Sequence, residues 1–145
     1  MCEFMSWVEK GEKVYFLTPA MIQDTPKGQA WLKYEGDKTD NWEDDQKGHG
    51  AIRWFFDLQN REGEEHECTD FSSPANFPTE IVKAIKAGEF RGYVFPFGLL
   101  SAALDADYQA KCAPLYADYQ AKRAALDADM WDLFSKPENR VEVWK

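Results

Sequence analysis

The sequence predicts an α+β fold: a small antiparallel sheet with short helices, followed by a long C-terminal helical segment kinked near Pro114. Three observations predict it. Residues 7–17 and 52–71 hold β-branched and aromatic runs broken by turn-forming residues, the pattern of hairpins. Thr18-Pro19 and Thr25-Pro26 each set a capping Thr before a Pro, as at a helix start. From Ala102 onward an eleven-residue unit repeats, which matches about 3.67 residues per helical turn. The 145 residues, 44% of them hydrophobic and 15% aromatic, suffice for one packed domain that buries about two-thirds of its unfolded surface.

Each element can be justified in order. Val14-Tyr15-Phe16-Leu17 follows the Gly11-Glu12-Lys13 turn, so residues 7–17 are expected as a hairpin or single strand. Two short helices, or one broken one, should run from Pro19 to Tyr34, with Met21, Ile22, Ala30, Trp31 and Tyr34 on the apolar side. Residues 35–50 are acidic and aperiodic, a loop. Ile52, Trp54, Phe56 and Leu58 alternate with Arg53, Phe55 and Asp57. That period of two predicts a strand, turned by Asn60–Gly63 and returning along residues 65–71. Thr79 should cap a short helix with Ile81, Val82 and Ile85 on one side and Gly88 at its C-terminal end. Residues 90–97 are expected as a further strand. The expected division is an α+β core over 1–100, a repeat helix over 101–135 and a terminal edge strand over 136–145.

The repeat consists of AALDADYQAKC (Ala102–Cys112), APLYADYQAKR (Ala113–Arg123) and AALDADMWDLF (Ala124–Phe134); the first two match at seven or more positions and the third for six residues. Eleven residues bring equivalent positions back to one face. Leu104, Leu115 and Leu126 form one row, with Tyr108, Tyr119 and Met130 in the adjoining row four residues on. Either this stripe packs on a partner helix or a sister subunit, or it folds back onto the sheet. Asp107, Asp118 and Asp129 form a carboxylate row with a spacing of about 16 Å. The first two lie four residues before Lys111 and Lys122, placed for ion pairs. Pro114 cannot donate its backbone hydrogen bond, so a kink or a restart is expected there.

The net charge is −9, and acids outnumber bases in every third of the chain. Such a surface does not bind nucleic acid by counterion release and is repelled by anionic membranes. A basic protein partner, or the imitation of a polyanion, fits the sign. Candidates for that acidic face are Asp37, Asp40, Glu43, Asp44, Asp45, Asp107 and Asp118. Cys2, Cys68 and Cys112 are odd in number and far apart, which argues against a disulfide framework. The N-terminus lacks the pattern of a signal peptide. The longest apolar run, near Tyr93–Leu100, is far short of the roughly 20 residues that span a bilayer. The expectation is a cytoplasmic protein.

Motifs for chemistry are sparse. His66 and Cys68 share a strand face, but no paired zinc-ligand spacing is present. With two His and no G-x-S-x-G, a nucleophilic triad is not expected. Neither DAD triplet has the Gly and Glu of a calcium loop. Gly48-His49-Gly50 precedes an expected strand, so it is no phosphate loop. No cofactor and no metal are expected. A nucleotide could still be gripped by Arg53 and Arg91 and stacked on Phe55.

The Ala-Asp-Tyr-Gln-Ala-Lys units resemble tandem repeats in accessory proteins of bacteriophages and prophages. His49-Gly50-Ala51-Ile52-Arg53 and residues 67–74 (ECTDFSSP) have the same look. The resemblance implies a non-enzymatic protein that binds and inhibits a host defence protein, as anti-CRISPR proteins do. Two other expectations stand beside it: an oligomeric sponge for a signalling nucleotide, and an assembly strut in which the repeat helix joins copies.

Overall fold

The computed structural model describes residues 5–36, 47–93, 95–96, 98–141 and 143. The chain divides into two compact units, Met1–Leu99 and Leu100–Lys145. The class is α+β, with a three-stranded antiparallel sheet, several short helices and a long C-terminal helix. Among the described residues, no helix is long and apolar enough to cross a membrane.

The first unit is built on strand β1 (Met5–Lys10), which lies between β2 (Lys13–Tyr15) and β3 (Glu64–Cys68). Gly11 (φ +61) makes the tight turn from β1 into β2. Alternation along β1 sends Val8 into one core and Met5 and Trp7 into another, because successive strand side chains point to opposite faces. The first core joins Val8 to Leu17, Ile22, Trp31, Ala51 and Ile52. It is covered by α1 (Pro19–Gln23), α2 (Pro26–Gly36) and α3 (His49–Phe55). The second core joins Met5 and Trp7 to Phe71, Phe77 and Ile81. It is closed by α4 (Thr79–Lys86) and the segment 71–77 before it. Both faces of the central strand β1 are thus buried from Met5 to Val8. Each fully buried Val, Leu or Ile contributes on the order of 1.5–3 kcal/mol.

The two Thr-Pro starts behave as expected. Thr18 Oγ1 accepts from the Met21 amide at 3.4 Å, and Thr25 Oγ1 accepts from the Gly28 amide at 3.0 Å. The expected strand over residues 52–58 is instead helix α3. Its ladder is helical: the Ile52 amide donates to the Gly48 carbonyl and the Phe56 amide to the Ile52 carbonyl, each at 3.0 Å. Phe55 interrupts the apparent alternation, and the apolar set Ala51, Ile52, Phe55 and Phe56 has helical spacing. Asp57, at φ +56, ends the helix in the left-handed region where short polar side chains are tolerated. The strand at 64–68 therefore pairs with β1 rather than with residues 52–58, placing Trp7 opposite His66 and Met5 opposite Cys68. Gly48-His49-Gly50 opens a helix of seven residues and not a strand.

Two further expectations are corrected. Thr79 is the first helical residue of α4, and Pro78 takes the cap position. Residues 90–97 form no strand among those described; Gly92, at φ +112, takes a conformation open to glycine and hostile to strand continuation. Val94 and Phe97 lie outside the described residues.

The second unit is dominated by α5 (Ala102–Phe134), an uninterrupted helix of 33 residues that contains Pro114. No restart occurs there. Pro114 still leaves the Ala110 carbonyl without an amide donor one turn on. Of the terminal edge strand expected over 136–145, Glu142, Trp144 and Lys145 lie outside the described residues. Residues 135–140 cap the C-terminal end of the helix. A single 3₁₀ turn, Pro137–Asn139, brings Asn139 Nδ2 to the Leu133 carbonyl at 2.9 Å and Arg140 Nε to the Phe134 carbonyl at 2.8 Å. A guanidinium at this end also complements the helix dipole.

Candidate functional site

Helix α5 buries none of its residues. The two predicted rows lie along it with large apolar side chains exposed. Leu104, Leu115, Leu126, Tyr119 and Met130 are all at least half exposed, and Leu115 reaches 71%. Tyr108 is half-buried. From Leu104 to Met130 the stripe runs for about 39 Å by helical rise. Tyr116 and Trp131 are exposed at 67% and 70% outside the two rows, and Trp131 packs edge-on to Phe134 at 5.7 Å. Both residues depart from the repeat, so reading the consensus rows alone misses them.

The carboxylate row is partly spent within the helix. Asp107 pairs with Lys111 at 2.6 Å and Asp118 with Lys122 at 2.8 Å. Asp129 has Leu133 four residues on, where its counterparts have Lys. Arg123 pairs with Asp127 at 3.3 Å. Such exposed pairs contribute only a few tenths of a kcal/mol each, but they tie up the charges a mimic would present. Asp37, Asp40, Glu43, Asp44 and Asp45 lie outside the described residues.

In the first unit, the nucleotide set does not assemble. Arg53 is buried on α3 and is committed to β3: its Nη1 pairs with Glu65 and its Nε donates to the Glu62 carbonyl at 3.2 Å. Arg53 holds the Glu65 carboxyl below its ordinary range. Phe55 packs against Phe56 at the edge of the first core. His49 donates from Nε2 to the His66 carbonyl at 2.9 Å, so α3 is pinned to β3 at two points. His66 itself stacks on Trp7 at 5.5 Å, and Cys68 Sγ lies 3.6 Å from the Asp70 carbonyl.

Arg91, the third member, lies elsewhere, at a cavity of about 310 Å³. Met5, Phe71, Ile85, Phe90, Phe95 and Leu99 give this cavity its apolar wall. Its polar side chains are Lys47, Arg91 and Tyr93. Tyr93 donates its hydroxyl to the Leu17 carbonyl at 3.3 Å, and burial pushes its phenol well above the usual range. Lys47 Nζ sits 4.6 Å from the centre of the Tyr93 ring, a cation–π arrangement.

The chain matches no protein-family model, no curated protein and no solved structure.

The cavity was hidden from sequence reading by the strand expected over residues 90–97. A strand would send Phe90 and Arg91 to opposite faces. The turn at Gly92 lets both line one hollow. The glycines at 88, 92 and 98 were the available signal, since closely spaced glycines in an apolar run mark turns more readily than a strand interior.

Proposed function

We propose that the protein is a non-enzymatic binding protein that docks the exposed stripe of α5 into an apolar groove of a host protein, and that the host protein is a defence component inhibited by the contact. The observation that carries this reading is the exposure of Leu104, Leu115, Tyr119, Leu126 and Met130 along one helix with no buried residue. An amphipathic helix laid into a groove is a recurring recognition mode, read as anchors three, four and seven residues apart. Leu104–Tyr108, Leu115–Tyr119 and Leu126–Met130 supply such anchors. The resemblance of the repeat to phage accessory proteins supplies the host-defence part of the reading. The internal pairing of Asp107 and Asp118 favours apolar docking over imitation of nucleic acid. The engagement of Arg53 by Glu65 removes one grip from the nucleotide-sponge reading.

A second reading rests on the repeat itself. An apolar seam recurring every eleven residues suits a right-handed supercoil with another copy of the same helix, which is the homo-oligomer or assembly-strut expectation. One variant separates the two readings. Leu115→Glu with Tyr119→Glu changes exposed side chains and should leave the fold intact. The expected result is that the full chain protects an infecting phage from a bacterial defence system, that the double variant loses this protection, and that light scattering finds both to be monomers. A defined oligomer dissolved by the double variant would move the reading to self-assembly. Equal protection by both chains would remove the stripe from the inhibitory function.

A further inference from the structure

The cavity beside Gly92 is independent of the α5 stripe, and its chemistry is specific. Its wall is apolar and aromatic. Among the described residues that line it, Lys47 and Arg91 are cations and none is acidic, in a chain of net charge −9. Arg91 is exposed and makes no ion pair with a described carboxylate. Lys47 is held against the Tyr93 ring. The volume falls at the lower end of small-molecule sites, which run from about 300 to 1,000 Å³. We propose that this cavity binds a small amphipathic anion: an apolar body against Phe71, Ile85, Phe90 and Leu99, with a single carboxylate or phosphate head at the Arg91 guanidinium.

The lining also says what the ligand is not. A nucleobase carries several donors and acceptors on its edges. The Tyr93 hydroxyl is already bonded to the Leu17 carbonyl, and apart from Lys47 and Arg91 the other described side chains of the lining are hydrocarbon. A buried base would leave polar groups unpaired at a cost of about 1–3 kcal/mol each. An alkyl or aryl body incurs no such loss and gains from burial. The planar guanidinium of Arg91 suits two-point recognition of a carboxylate or phosphate. The site thus separates Arg91 from the nucleotide reading and assigns it a different class of ligand.

The test is isothermal titration calorimetry on the full chain with four probes: decanoate, naphthalene-2-carboxylate, decanol and adenosine monophosphate. The expected result is that at least one of the two carboxylates binds, that decanol binds about tenfold more weakly than decanoate, and that adenosine monophosphate shows no heat of binding; one charge-assisted contact accounts for about a tenfold difference. Preference for decanoate identifies an acyl ligand, and preference for the naphthoate an aryl one. Arg91→Gln, at an exposed position, should weaken the binding carboxylate about tenfold while leaving decanol unchanged. A thermal melt of the variant checks that it remains folded. The proposal is overturned if neither carboxylate binds, if decanol equals decanoate, if adenosine monophosphate binds more tightly than both, or if folded Arg91→Gln keeps full affinity.

Discussion

At the scale of single residues, the first unit depends on one close approach and on a few charged contacts. Gly28 stands at the start of α2, where an added Cβ would lie 2.2 Å from the Ile22 carbonyl oxygen and 2.4 Å from that of Met21. In an exposed helix, Gly→Ala gains about 1 kcal/mol from helix propensity. Here the obstacle is backbone, which cannot swing aside, and overpacking of this kind costs about 1–3 kcal/mol or more. Gly28→Ala should therefore destabilise the protein, seen as a lower denaturant midpoint with an unchanged slope; a higher midpoint would mean that α1 and α2 separate easily. The charged contacts set a pH dependence. Arg53 lowers the Glu65 carboxyl, Lys10 lowers that of Glu62, and hydrogen bonding by Ser72 lowers that of Asp70. A carboxyl with a folded-state pKa below its unfolded value contributes stability above the unfolded value, and loses it as pH falls through the folded one. Stability should thus decline below the ordinary carboxylate range and not between neutrality and pH 5. Glu65→Gln should make that acid decline shallower in denaturant titrations, and an unaltered decline would show that the Arg53 contact is not coupled to folding.

At the scale of elements, α5 carries a built-in weakness. Pro114 sits in mid-helix, where Pro costs about 3 kcal/mol relative to Ala, and no residue of the helix is buried to offset it. The ion pairs at Asp107–Lys111, Asp118–Lys122 and Arg123–Asp127 return about 1 kcal/mol between them. Pro114→Ala should raise the helical circular-dichroism signal and move the melting of that signal upward, while near-ultraviolet signals from the Trp-rich first unit stay in place. No gain in helicity would show that Ala110 and its neighbours already relax around the proline. The same helix shows what was legible in the sequence. Its extent, its two apolar rows and the Asp107–Lys111 and Asp118–Lys122 pairs follow from an eleven-residue period, because a helix with no buried residue is governed by local spacing. The helix at His49–Phe55 was not legible in that way. A consecutive run of Ile, Arg, Trp, Phe and Phe fits both periods, and the decision fell to tertiary contacts of Ala51 and Ile52 with Val8, far away in sequence.

At the scale of the whole molecule, sequence reading placed the α+β class but left open what covers each face of the sheet. Helix α4, Phe71 and Phe77 close one face of β1, and α1, α2 and α3 close the other. Every residue of the two cores, together with the partly buried hydrophobic residues packed on them, falls between Met5 and Phe90. The folding information for the first unit is therefore contained in the segment that ends at Leu99. A chain stopping there should unfold cooperatively, with a denaturant midpoint close to that of the first-unit transition in the full chain, and should keep its near-ultraviolet signal from buried Trp7 and Trp31. It should also retain the amphipathic-anion site, whose described lining ends at Leu99, while losing any partner that the α5 stripe recruits. Loss of cooperative unfolding on truncation would mean that the second unit stabilises the first, and the stripe would then have to be assigned a role in folding before any role in binding.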